Sequence, residues 1–131
     1  MIDTSGFFLA KANESLQGAE SELANGRLNN CANRTYYACF QAAIAALLRA
    51  GIRPTNAQRA WQHAFVLSQF TGQLVNRRHV FARGLRETLP YLSTLRRQAD
   101  YRAEAISRSE AIHGLDLARS FVQAVQERSA R

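Results

Sequence analysis

The segment 28–50 constrains this chain more than any other. Leu28, Cys31, Tyr36, Cys39, Phe40, Ala43, Ile44, Leu47 and Leu48 place apolar groups around most of the circumference of a helix. A helix that is apolar nearly all round has to be covered on several sides at once, so it belongs in the middle of a bundle. One polar stripe survives on it, formed by Asn30, Arg34, Tyr37 and Gln41 at steps of four, three and four. Gly51 supplies the left-handed residue that closes a helix, and Pro54 follows in the turn.

The covering elements are legible on either side. Leu9, Ala12, Leu16, Ala19 and Leu23 form one face of an amphipathic helix that ends at Asn25-Gly26. The short connection to the next helix makes the two antiparallel neighbours. Thr55-Asn56-Ala57-Gln58 has the form of a capping box and predicts a third, shorter helix running to about Phe70, with Thr71-Gly72 as its stop. A fourth helix is expected to start between Leu74 and Arg77, with Phe81, Leu85, Leu92, Leu95 and Ala99 inward and a kink at Pro90. Ser107-Arg108-Ser109-Glu110 is a second capping box, opening a last helix with Ala111, Leu115, Ala118, Val122 and Val125 on one face and fraying over 127–131. No stretch alternates with period two. The expected fold is all-α: an antiparallel bundle of four main helices plus a shorter third one, occupying residues 1–131 as one domain.

Composition narrows the chemistry. There are 17 basic and 10 acidic residues, a formal charge of +7, and Lys11 is the only lysine. Arginine's planar fork suits phosphate and carboxylate, so nucleic acid or an acidic protein becomes a natural partner, with a merely solvated basic face as the alternative. Cys31 and Cys39 lie eight residues apart on one helix, about 12 Å at the rise of an α-helix, too far for a disulfide. No apolar run reaches membrane-spanning length and no signal-type start is present, so a reducing, cytoplasmic setting is expected. Cys31, Cys39, His63, His79 and His113 show no metal-ligand spacing, and neither G-x-x-x-x-G-K-S/T nor G-x-G-x-x-G occurs. No metal and no cofactor is assigned.

Candidate binding residues cluster in three places. Arg59 and His63 share the third helix, and Arg77-Arg78-His79 stand at the expected start of the fourth, near Arg83 and Arg86. These arginines form either a solvated face or a phosphate contact surface. The third place is LRRQADYR, residues 95–102, where Arg96 and Asp100 are spaced i,i+4, as are Arg97 and Tyr101. Periodicity alone makes this an ordinary helix end.

Two stretches taken together, ANRTYYACFQAAIAALL at 32–48 and LRRQADYR at 95–102, resemble the HEPN family, named from higher eukaryotes and prokaryotes nucleotide-binding. The resembling bacterial pattern is an S/N-R-x-Y-Y-A-x-F helix, then a histidine near the next helix (here His63), then R-x-x-A-D-Y (here Arg96, Ala99, Asp100 and Tyr101), and a Ser/Glu-rich cap before the last helix. The resemblance implies a helical bundle that dimerises, with polar residues of both protomers meeting at a cleft. It implies a contact to RNA or nucleotide through Arg34, Tyr37, His63, Arg96, Asp100 and Tyr101; the basic run, taken with the net charge, adds Arg77 and Arg78 as further phosphate contacts. It also implies a place in a toxin–antitoxin or defence system beside a minimal nucleotidyltransferase.

Many members of the family are metal-independent ribonucleases carrying R-x4-6-H on the helix that here bears Arg96. Asp100 stands where that histidine is expected. An aspartate titrates ordinarily near 3.9 against about 6.5 for histidine, which makes it a poor base at neutral pH. The resemblance therefore implies weak or lost ribonuclease activity, with Arg96, Asp100 and His63 as the residues nearest any chemistry. Two rivals stand beside it: an active endoribonuclease using a displaced histidine, His63 or His113, and a structural protein-interaction module. The sequence contains one literal R-x4-H, Arg108 to His113, at the start of the last helix rather than at the family's position. The apolar coverage of the second helix, added to stripes on three others, exceeds what a small bundle needs and predicts a homodimer.

Overall fold

The computed structural model describes residues 3–55 and 61–130. It is all-helical, with α1 at Thr4–Ala24, α2 at Leu28–Arg49, α3 at His63–Gln69, α4 at Thr88–Tyr101 and α5 at Arg108–Ser129. A π-helix, Phe70–Arg77, continues α3 directly, and a 3-10 turn, Arg83–Glu87, leads into α4. The four long helices pack as a bundle with the seven-residue α3 at one side.

α2 is the axis. Fourteen of its residues are buried, and α1, α3, α4 and α5 all pack against it. Its apolar circumference is thus consumed inside the chain, and the surplus expected to drive a dimer is not left over on this helix. Cys31 and Cys39 are buried free thiols, as their spacing requires. The core continues from Tyr36, Ile44 and Leu47 to Leu92 and Leu95 of α4 and Leu115, Phe121 and Val122 of α5. Phe70 joins it, with ring centroids 4.9 Å from Phe121 and 5.3 Å from Phe81.

Helix ends explain most of the boundaries. Gly26 and Gly51 take positive φ, 75° and 78°. At each, the following residue's N–H reaches back to a carbonyl five residues earlier, Arg27 to Glu22 and Ile52 to Leu47, a reversal that satisfies otherwise orphaned carbonyls. Ser107 Oγ accepts from Glu110 N at 3.1 Å while Ser107 N donates to Glu110 Oε1 at 2.9 Å, completing the expected capping box. The loop before it is tied to α2 by Ile106 N donating to Asn29 Oδ1. α5 holds its helix to Ser129, two residues beyond the start of the predicted fraying.

The middle of the chain departs from expectation. The capping box at 55–58 and Arg59 reach outside the described residues. Thr71-Gly72 does not stop the third helix, because Gly72 does not take the left-handed conformation through which a glycine ends one. The chain widens to π geometry instead, which lets Phe70, Leu74 and Val75 all turn inward. Arg77 and Arg78 consequently end a helical segment rather than open one. α4 begins at Thr88, not near Leu74, so Pro90 is its third residue. There the missing N–H would have had no intrahelical partner, and neither a kink nor a break results.

Candidate functional site

Three elements bring their side chains together in one cluster at the surface. α2 contributes Tyr36, Tyr37 and Phe40, α3 contributes its first residue, His63, and the last two turns of α4 contribute Arg96 and Asp100. α4 is held close by Gly114 of α5, where a Cβ would lie 3.1 Å from Leu95 Cδ2 and 3.4 Å from Leu92 Cδ2. That close approach fixes the helix on which Leu95 is buried and the adjacent Arg96 faces the cleft.

Arg96 is the organising charge. Its guanidinium carbon lies 5.0 Å from the centroid of Tyr36 and 5.9 Å from that of Tyr37, a cation–π arrangement on two rings. Its Nη1 donates to Asp100 Oδ2 at 3.3 Å. Nε is buried with no hydrogen-bond partner among the described residues, so the tyrosine faces are what compensates its desolvation. The arginine side chain is 19% exposed and the aspartate 34%, which places the pair at the mouth of the cleft rather than in the core. A pair this open adds at most about 1 kcal/mol. Its contribution is orientation, since the carboxylate restricts the fork of the guanidinium.

His63 closes the other side. Its Nδ1 is 2.7 Å from the Tyr36 hydroxyl. Its ring lies 4.5 Å from the Phe40 centroid, 5.4 Å from Tyr36 and edge-on to Tyr37 at 5.9 Å. Partial burial of the ring, and then the positive charge of Arg96, hold the imidazole of this largely exposed residue below its ordinary pKa of 6.5. His63 is therefore neutral at pH 7. With the tyrosine hydroxyl donating to Nδ1, the ring proton sits on Nε2; with the hydroxyl accepting, the tautomer reverses. Burial pushes the Tyr36 hydroxyl up to about 12, with Arg96 opposing in part, so that phenol stays protonated and serves the histidine as a hydrogen-bonding partner.

The sequence candidates separate into two groups. Arg96, Asp100, His63 and Tyr37 are brought together. Tyr101 is one residue beyond Asp100 at the end of α4 and 82% exposed; the guanidinium over tyrosine rings is that of Arg96, not Arg97 over Tyr101. Arg34 is one turn before Tyr37 but leans across α1, with Lys11, Glu14 and Glu22 around the same groove. Arg77 and Arg78 are elsewhere. Arg78 donates to the Ala50 carbonyl, thirteen residues and about 20 Å along α2 from Tyr37. His113 packs edge-on against Tyr91, with centroids 5.5 Å apart, and takes no part in the Arg96 cleft. Among the described residues no group of three His, Cys, Asp or Glu side chains has the placement of a metal site. No helix there is long and apolar enough to cross a membrane.

Sequence reasoning missed Tyr36, which it counted among core residues. The available signal was the adjacent pair Tyr36-Tyr37: neighbours on a helix point about 100° apart, so one ring can be buried while the other lines a surface.

An arginine, a histidine and two tyrosines thus meet where the second, third and fourth of the helices in an all-α bundle converge. A model of the HEPN domain matches residues 5–128. The chain belongs to the HEPN domain family. A comparison with curated proteins finds no match.

Proposed function

We propose that this chain is the helical component of a two-component toxin–antitoxin or defence system, and that it binds RNA or nucleotide through the cleft of Tyr37, His63, Arg96 and Asp100. The observation that carries the reading is the state of Arg96: a guanidinium held over two tyrosine faces and turned by one carboxylate, with donors left for a phosphate. Tyr37, half-buried at the mouth, offers a surface for a base to stack on. HEPN domains commonly dimerise, and a second protomer would complete the cleft. Among the described residues, Phe7, Tyr91, Tyr101 and Ile112 are the large exposed apolar groups available for such an interface. A minimal nucleotidyltransferase is the partner that membership of the family suggests.

A second reading is favoured by one specific observation. His63 reaches the Arg96 cleft from another helix, is neutral at pH 7 and is hydrogen-bonded to a tyrosine. A neutral imidazole can take the proton of an RNA 2′-hydroxyl while the guanidinium stabilises the charge developing on the phosphate. In that reading His63 stands in for the histidine replaced by Asp100, and the activity is that of an endoribonuclease.

Both readings are tested with one set of proteins. Anisotropy with a labelled single-stranded RNA, at two salt concentrations, should show binding that falls steeply with salt and weakens at least about tenfold in Arg96→Ala. Binding unchanged in Arg96→Ala would reject the cleft as the RNA site. Incubation of the same RNA with EDTA present separates the two: cleavage that His63→Ala abolishes establishes the ribonuclease, and intact RNA leaves the binding module. Light scattering at micromolar concentration should give twice the chain mass.

A further inference from the structure

About 20 Å along α2 from the Arg96 cleft, three arginines from three different segments border one open groove of about 410 Å³. Arg49 comes from the last turn of α2, Arg78 from just beyond the π-helix, and Arg128 from the last turn of α5. The floor between them is apolar, formed largely by Val80, Phe81 and Val125. Among the described residues no carboxylate and no side-chain amide lines it. Among the described residues none of the three arginines is in an ion pair.

Arginines at helix ends have an ordinary use. Arg49 Nη2 donates to the Ser129 carbonyl at 2.9 Å, and Arg78 Nη1 donates to the Ala50 carbonyl at 3.1 Å, so each caps a helix C-terminus. The magnitudes show that capping does not exhaust them. Two helix ends present about half a negative charge each, roughly −1 together, against three full positive charges. Asp3, across the neighbouring groove, offsets part of the Arg49 charge; a surplus of somewhat under about +2 remains, and each capping guanidinium has used one of five N–H groups. The Arg128 side chain makes no hydrogen bond among the described residues, so capping does not account for it.

The backbone gives a second, independent observation. His79, between Arg78 and Val80, has φ of 54°, and it is the single non-glycine residue with positive φ among those described. That conformation crowds the Cβ of any L-residue against its own backbone. It is held by Val80 N and Phe81 N, which both donate to the Leu74 carbonyl at 2.8 and 3.2 Å. The reversal turns both neighbours of His79, one charged and one apolar, into the same groove. Strain of this kind persists where the resulting surface is used.

We propose that this groove binds a terminal phosphate carried by a nucleoside, whether a free nucleoside monophosphate or the 5′ end of an RNA. Arg49, Arg78 and Arg128 hold the phosphate, and the sugar and base lie on Val80 and the aliphatic stems of the arginines, above the buried Phe81 and Val125. A phosphomonoester carries about −1.5 to −2 at neutral pH and matches the surplus, whereas a carboxylate or an internal phosphodiester leaves about one positive charge unmatched. With no amide or carboxylate to read base edges, the groove accepts all four bases alike.

The test uses the full chain and two short single-stranded RNAs of one sequence, 3′-labelled, with a 5′-phosphate or a 5′-hydroxyl, together with calorimetry of AMP, GMP, CMP and UMP. A 5′-phosphate preference of at least about tenfold, lost in Arg128→Glu and kept in Arg96→Ala, supports the site with an RNA end as its ligand. AMP binding that depends on Arg128, without a 5′-phosphate preference, supports it with free nucleotide as the ligand; the four monophosphates should then agree within a few-fold. Arg128→Gln serves as a second variant, and the circular dichroism and melting of both should match the unsubstituted chain. Neither effect, or effects insensitive to Arg128, overturns the proposal. A preference lost in Arg96→Ala overturns it as well, since the phosphate would then sit in the other cleft. An acidic peptide that binds at Arg128 more tightly than AMP assigns the groove to a protein instead.

Discussion

Replacing Tyr36 by Phe removes one oxygen and leaves the rest of the cleft in place. The hydroxyl lost is the one 2.7 Å from His63 Nδ1. The ring that stacks on Phe40 and His63 and lies under Arg96 is retained. His63 is an exposed residue, so its nitrogen can turn to water and no buried group is stranded. The cost is then that of a single neutral hydrogen bond, about 0.5–1.5 kcal/mol. Urea unfolding of Tyr36→Phe, His63→Ala and the double variant, with equal m-values, isolates the pair as a coupling energy of that size. A second signature appears at alkaline pH. The Tyr36 phenol is raised from about 10 to about 12, so the folded state keeps a proton that the unfolded state loses. The resulting stabilisation is fully present below pH 10 and is lost as pH rises toward 12. Two units correspond to about 3 kcal/mol as an order of magnitude. Tyr36→Phe should remove that alkaline loss. A coupling energy indistinguishable from zero would refute the pairing of Tyr36 with His63, and an unchanged alkaline limb would refute the burial of the Tyr36 phenol.

At the acid end His63 has the opposite sign. Its pKa is depressed in the folded state, so the unfolded chain takes up the proton first; its stabilisation is present above pH 6.5 and lost as pH falls below it, with a slope of at most about 1.4 kcal/mol per pH unit. His63→Ala should flatten that part of a urea-midpoint profile. Asp100→Asn should change the unfolding free energy by less than about 1 kcal/mol, because the pair with Arg96 is open to solvent. It should weaken RNA binding less than Arg96→Ala does, and the reverse ranking in anisotropy would make Asp100 more than a positioning group. Ser107→Ala removes the acceptor for Glu110 N and should lower stability by about 1 kcal/mol in thermal or urea unfolding; no change would mean that the box does not hold the start of α5.

Local signals were legible in the sequence and tertiary ones were not. The breadth of the apolar surface on α2, the glycines at 26 and 51 and the box at Ser107–Glu110 act within a few residues of themselves, and each is found where the pattern put it. The π-helix escaped because no local rule asks for it; it follows from seating Phe70 against Phe81 and Phe121 from distant segments. The same holds for His79, a residue type without glycine's freedom, whose turn is held by carbonyl contacts rather than by propensity. In the cleft, Arg96 and Asp100 were visible as an i,i+4 pair. Their meeting with Tyr36 and His63, which are 27 residues apart from one another, depends on how α3 returns to α2 and has no counterpart in periodicity.

The cleft has one unyielding wall and one that can swing. Tyr36, Tyr37 and Phe40 sit on α2, packed on all sides, so their amides can exchange with solvent only when the whole bundle opens. His63 is the first residue of a seven-residue helix and has only the chain before it to hold its N–H groups. Opening that single turn, beginning with the bond from Val66 N to the Gln62 carbonyl, withdraws the imidazole from Arg96 without disturbing the aromatic floor. The Val66 amide should therefore exchange with solvent at a smaller free energy than the amides of Tyr36, Tyr37 and Phe40. Anything that braces α3 sets the fraction of time the two spend together, and it does so without touching either residue.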